Sequence, residues 1–181
     1  MNGSVNPVTW SGNNGALRSL NVTKGSGGAL KLTAGSLLLV SCKVTGSSSD
    51  ALSVTGGTLT LNGCTVYKNT GRGLVVNAAS AKAVIDRNTF YTNTGYTAEL
   101  LNGTLTFSNN LARSTTNGLQ ITGGSAQVWN NTIASAGTNG VVHAGGSLTL
   151  FNNIITQVSN GLVYTAGTLS HNNNLYWLNT T

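Results

Sequence analysis

From Gly124 onward the chain writes one alternation of apolar and polar residues three times: GSAQVWNNTIASAGTNGVVHAG, GSLTLFNNIITQVSNGLVYTA and GTLSHNNNLYW. Each copy opens on Gly and a short alternating run, reaches an Asn pair, adds a short apolar run, and passes through Asn-Gly into another apolar run. Taking the second residue of the Asn pair as an anchor, the same place falls at Leu20, Cys42, Cys64, Asn88, Asn110, Asn131, Asn153 and Asn174, at intervals of 21 to 24 residues. A fixed period of this length marks a stack of similar units, each unable to bury its apolar face alone.

Three runs recur in each unit. Before the anchor, Leu59 and Leu61, Ala83 and Ile85, Leu105 and Phe107, Ala126 and Val128, and Leu148 and Leu150 alternate with polar residues. Two residues after it stand Val22, Val44, Val66, Phe90, Ala112, Ile133, Ile155 and Tyr176. A third run holds Leu30 and Leu32, Leu52 and Val54, Leu74 and Val76, Ala98 and Leu100, Leu119 and Ile121, Val141 and His143, and Leu162 and Tyr164. A period of two within runs rich in Thr and β-branched residues predicts strands with one buried face and argues against helix. The sequence therefore predicts an all-β solenoid, a single-stranded parallel β-helix of about seven or eight coils with three parallel sheets. Equivalent strands pair at about 4.8 Å, giving a rod about 35 to 40 Å long. Residues 15–178 are expected to form the solenoid, residues 1–14 an N-terminal segment or partial cap plugged by Val8 and Trp10, and residues 179–181 a tail.

Two local features refine this picture. Asn at an inward bend donates and accepts at once, so an internal ladder through Cys42, Cys64, Asn88, Asn110, Asn131, Asn153 and Asn174 is expected to satisfy backbone groups that lose sheet partners there. The pairs Asn117-Gly118, Asn139-Gly140 and Asn160-Gly161 are expected to supply positive φ at turns. Cys42 and Cys64 sit one over the other, either as a buried reduced pair or as a disulfide; parallel side chains favour the reduced pair. Two cysteines with no nearby His make no metal site, and no cofactor is implied.

VWNNTIASAGTNGVV, LTLFNNIITQVSNGLVY and the closing LSHNNNLYW resemble the right-handed parallel β-helix proteins of the pectate-lyase-like superfamily, and in weaker form the resemblance covers residues 15–178. It implies the right-handed fold. Members include polysaccharide lyases, galacturonases, tailspikes, adhesins and noncatalytic repeat domains, so the fold does not decide the activity.

Only 7% of the 181 residues are charged, and the net charge of +6 comes from nine Lys and Arg lying between Arg18 and Arg113. That balance suits either an acidic partner or a few solvated cations on a neutral scaffold. No basic cluster interleaves with aromatics along the sequence, which excludes nucleic acid as the expected partner. No apolar run is long enough to span a bilayer. Solenoids of this composition are generally exported, so the expected compartment is extracellular or the cell surface, with any leader already removed.

Catalysis in such folds needs converging carboxylates, or calcium with a base. Asp50, Asp86 and Glu99 are the only acids and are expected on different faces of different coils. His143 and His171 are expected as inward histidines bonded to backbone or water rather than as proton shuttles. The expectation is a noncatalytic structural protein, self-assembling through its ends into filaments or acting as an adhesin. A polysaccharide lyase or hydrolase domain, and an ice- or glycan-binding solenoid, are the alternatives. For the last, the outward pairs Thr58 and Thr60, Thr104 and Thr106, Ser147 and Thr149, and Thr168 and Ser170 form a flat hydroxyl array broken by Lys82, Val84 and Gln127. Trp129 and Phe151, flanked by Ser108 and Asn172, form a candidate patch for a sugar ring or a partner. Sequons at Asn2, Asn21, Asn102, Asn130 and Asn179 permit glycan decoration.

Overall fold

A computed structural model describes residues 8–23, 26–134 and 136–181, and every regular element in them is a β-strand. All strand pairs are parallel, and successive partners are 21 to 25 residues apart. The chain therefore winds as a solenoid of eight coils. The apolar alternation fixes the register, because a one-residue slip would turn every Leu and Val outward.

Three files of strands run along the axis. The first begins at Val8–Trp10 and ends at Asn160–Tyr164, the second runs from Gly15–Arg18 to Thr168–Asn172, and the third from Asn21–Thr23 to Leu175–Trp177. The three files hydrogen-bond as two continuous sheets, one of fourteen strands and one of eight. The reason lies in two long strands, Leu74–Asp86 and Tyr96–Ser108, which carry the first file round the corner into the second. Register shifts between Val76 and Lys82 mark the coil that is longer by two residues.

Each file sends alternate side chains inward. Leu30, Leu52, Leu74, Ala98, Leu119 and Val141 stand in line, as do Leu61, Ile85, Phe107, Val128 and Leu150, and Val44, Val66, Phe90, Ala112, Ile133 and Ile155; all are fully buried or nearly so. Phe90 meets Phe107 across the core at 5.7 Å between centroids. Trp10 packs on the first coil, its Nε1 donating to the Asn13 carbonyl at 2.9 Å, while Val8 is exposed.

The amide ladder is present and carries two bonds per rung. Nδ2 of Asn88, Asn110, Asn131 and Asn153 donates to Oδ1 of the next Asn at 2.9 to 3.1 Å, and the backbone N–H of the same residue donates to that oxygen at 2.8 to 3.0 Å. Toward the N-terminus the Cys64 N–H donates to Asn88 Oδ1 at 2.7 Å, and the Cys42 N–H reaches Cys64 Sγ at 3.4 Å. Both thiols are free and buried.

A second internal column, five residues further on, was not visible in the sequence pattern. It comprises Ser47, Asn69, Asn93, Thr115, Ala136, Val158 and Asn179. Asn69 Nδ2 donates to Asn93 Oδ1 at 2.9 Å, the Ser47 N–H to Asn69 Oδ1 at 2.9 Å, and the Val158 N–H to Asn179 Oδ1 at 3.2 Å.

The Asn-Gly pairs do not make the turns. Gly118, Gly140 and Gly161 lie within strands, outside the positive-φ region. Glycine is required there for close approach: a Cβ on Gly118 would stand 1.9 Å from the Gly140 carbonyl oxygen. Positive φ falls instead on the residue before each ladder position, at Ser19, Ser41, Gly63, Arg87, Asn109, Asn130, Asn152 and Asn173, between 53° and 62°. Asn tolerates that conformation better than other residues with a Cβ. The Asn pair is thus a division of labour, with the first member making the corner and the second filling it.

Candidate functional site

The charged residues gather differently from their order in the sequence. Asp50 and Glu99 were expected on separate faces, but Arg72 joins them. Asp50 Oδ1 accepts from the Arg72 backbone N–H and from Nε, both at 2.9 Å; Oδ2 accepts from Nη2 at 2.5 Å; and Nη1 bonds Glu99 Oε2. Glu99 does stand in the expected outward column with Lys31, Ser53, Val75, Gln120, Val142 and Val163, yet it is only 8% exposed. Asp50 and Arg72 lie in the corners before their strands, so the outward column alone does not reveal them.

Burial pushes the Asp50 carboxyl upward, but the hydrogen bonds and charge of Arg72 outweigh it and hold the group below the ordinary carboxylate range. The Arg72 guanidinium is raised, chiefly by its bonds to Asp50. Asp86, on the second file, accepts from Ser108 Oγ at 2.9 Å, Asn109 Nδ2 at 2.7 Å and Arg87 Nε at 2.7 Å. Burial raises its carboxyl, and these donors together bring it below the ordinary range. All three side-chain carboxylates are therefore tied to a cation, and Asp50 and Glu99 hold one guanidinium between them rather than open space for a reacting bond. Among the described residues no three metal-ligating side chains gather.

Trp129 and Phe151 are neighbours in register, in one outward column with Ser108 and Asn172. Phe151 is 43% exposed and Trp129 partly so. Beside them Asn152 Nδ2 donates to Asn130 Oδ1 at 2.6 Å. The hydroxyl pairs of the second file also fall in register, with Lys82, Val84 and Gln127 interrupting them.

His143 is inward and fully buried, but among the described residues no protein atom bonds either ring nitrogen; its ring packs against Tyr164 at 5.5 Å. Of the two partners expected for it, backbone or water, no backbone group among the described residues hydrogen-bonds the ring. His171, in register with Leu150, is exposed at the last coil. It lines a cavity of about 430 Å³ with Leu162, Tyr176 and Leu178. Tyr164, Leu175, Tyr176, Trp177 and Leu178 are exposed around the same end.

Of the sequons, Asn21, Asn102 and Asn130 are exposed, and Asn179 is turned inward, donating to the Ile155 carbonyl at 3.0 Å. Asn2 lies outside the described residues. No helix among the described residues is long and apolar enough to cross a membrane.

The family model for the right-handed β-helix region matches residues 8–175. No curated protein and no solved structure matches the chain significantly.

Proposed function

Because the chain belongs to the right-handed β-helix family, we propose that it is a noncatalytic structural rod of the cell exterior or surface, extending end to end by stacking its coils on those of further copies. The observation that carries this reading is the register: in all three files each coil pairs in parallel on the one before it without a break, from Val8–Trp10 in the first file to Leu175–Trp177 in the third, and Trp177 and Leu178 are both 59% exposed. A stack of parallel strands offers donors and acceptors at both ends, so another first coil continues each file without a change of geometry. The engagement of all three carboxylates with cations supports the noncatalytic part, since a general acid or nucleophile has to be free to exchange its proton or attack. Export is supported by the composition, which is poor in charge and rich in Gly, Asn, Ser and Thr.

Electron microscopy of the purified chain over a range of concentrations tests the assembly. Rods lengthening with concentration, and shortened by W177D, are expected. Discrete particles at every concentration, or release of unsaturated sugars from a uronate polymer, would overturn the reading.

A further inference from the structure

The outer face of the third file gathers cations and aromatic rings that end-to-end assembly does not require. Register sets Lys43, Thr65, Thr89 and Leu111 in one outward column and Thr45, Tyr67, Tyr91 and Arg113 in the next. Tyr67 and Tyr91 stack with centroids 4.9 Å apart and planes 15° from parallel, and the Arg113 guanidinium lies 5.2 Å from the Tyr91 centroid. Lys68 follows Tyr67 at the corner. Lys43, Lys68 and Arg113 are exposed, and the three carboxylates of the chain bond Arg72 and Arg87 instead. Residues 43 to 113 are far apart in sequence, and only the coil period brings these side chains onto one face.

We propose that this face, with Lys43, Lys68 and Arg113 set around the Tyr67–Tyr91 stack, binds a linear acidic polysaccharide bearing carboxylate or sulfate groups along its length. Lys43 and Arg113 stand three coils apart, about 14 Å along the axis, so an extended polyanion lying along the rod meets both. No carboxylate of this face opposes it, and the +6 chain attracts it from a distance. The phenols and the Thr45, Thr65 and Thr89 hydroxyls offer hydrogen bonds suited to sugar hydroxyls and ring oxygens.

The geometry disfavours a nucleic acid. Single strands are held by bases stacking on open aromatic faces. Here Tyr67 covers one face of Tyr91, and Arg113 sits over its ring. A neutral glycan would gain nothing from the three cations.

The experiment measures binding of the full chain to polygalacturonate, dextran sulfate, neutral dextran and single-stranded DNA at low and high salt. Binding to one or both of the acidic polysaccharides is expected, weakening as salt rises, with neutral dextran unbound. The K43Q/K68Q/R113Q variant should bind the acidic polymers about tenfold more weakly or worse, since steering by a charged patch has effects of this order. R18Q/K31Q/K82Q, which removes three cations from the other two files, should bind like the parent. Equal losses in the two variants would mean that net charge alone attracts the polymer. That result, tighter binding of DNA than of either acidic polysaccharide, or no binding to either, would overturn the site. Thermal melting of each variant shows that the fold is kept.

Discussion

Oδ1 of Asn131 accepts two hydrogen bonds from Asn110, one from its side-chain Nδ2 at 3.1 Å and one from its backbone N–H at 2.8 Å. Asn131 in turn donates to the carbonyls of Phe107 and Trp129 at 2.8 and 2.9 Å and to Asn153 Oδ1 at 2.9 Å. No other uncharged side chain of this size supplies both the acceptor and the donors. The substitution N131D keeps the acceptor but loses the donors and sets a buried charge against three oxygens. N131A removes both, at about 1–3 kcal/mol for each group left unsatisfied. N131D is expected to unfold at a lower urea concentration than N131A at pH 7, and to recover relative to N131A as the pH falls and its carboxyl takes up a proton. Equal midpoints at pH 7 would contradict this.

The two cysteines are the weak rungs of that column. The 3.4 Å contact from the Cys42 N–H to Cys64 Sγ stands where later coils have an amide oxygen, and Cys64 Sγ already faces the carbonyls of Leu39 and Asn62. C64N places Oδ1 under the Cys42 N–H and Nδ2 toward those carbonyls and Asn88 Oδ1. It should stabilise the fold by about 1 kcal/mol, the usual net worth of a hydrogen bond, read as a higher midpoint in urea. Burial pushes the Cys64 thiol up, so in the native parent this thiol should react with alkylating agents only after unfolding.

Arg72 holds adjoining coils together through Asp50 and Glu99, and the lowered Asp50 carboxyl sets a pH window. A folded value below the unfolded one, near 3.9, gives stability that is present above the unfolded value and lost as pH falls through the folded one. Urea titrations at pH 7 and pH 3 should show the parent losing more stability on acidification than D50N does. R72Q should destabilise at pH 7 by more than the roughly 0.2–1 kcal/mol of an exposed pair, because it leaves the nearly buried Glu99 without its cation. Identical acid sensitivity in the parent and D50N would contradict this role for the pair.

Gly118 has an ordinary strand conformation and still cannot be replaced. G118A drives a methyl into the Gly140 carbonyl and to within 2.8 Å of Ile133 Cγ2. A loss of at least about 2 kcal/mol is expected, as for overpacked cores. G12A, whose methyl meets nothing within 4 Å among the described residues, should melt like the parent. Comparison of the two melting curves checks the distinction between a close approach and a turn.

The sequence made the stacking legible because its strands alternate strictly: Leu148 and Leu150 lie over Ala126 and Val128 as their spacing indicates. The Cys and Asn ladder was legible because Asn recurs at one place in five consecutive coils. The column from Ser47 to Asn179 was not, because Thr115, Ala136 and Val158 interrupt it; what defines it is an inward bend rather than a residue type. Asn-Gly misled for a related reason. The dipeptide is a turn signal in hairpins, but here the left-handed residue is the first Asn of the preceding pair, and Gly118 answers to the approach of the next coil. The Asp50, Arg72 and Glu99 cluster and the Tyr67, Tyr91 and Arg113 stack draw on corner residues and on neighbours 22 to 27 positions apart. Such meetings become visible only once the coil register is carried through every column rather than through the apolar ones alone.

Side-chain amide hydrogen exchange, followed by NMR on the 15N-labelled chain, tests the stacked ladder most directly. The Nδ2 protons of Asn88, Asn110, Asn131 and Asn153 should exchange far more slowly than those of the exposed Asn77 and Asn173. Exchange at one common fast rate in all six would contradict a continuous internal column of amides and the coil register that rests on it.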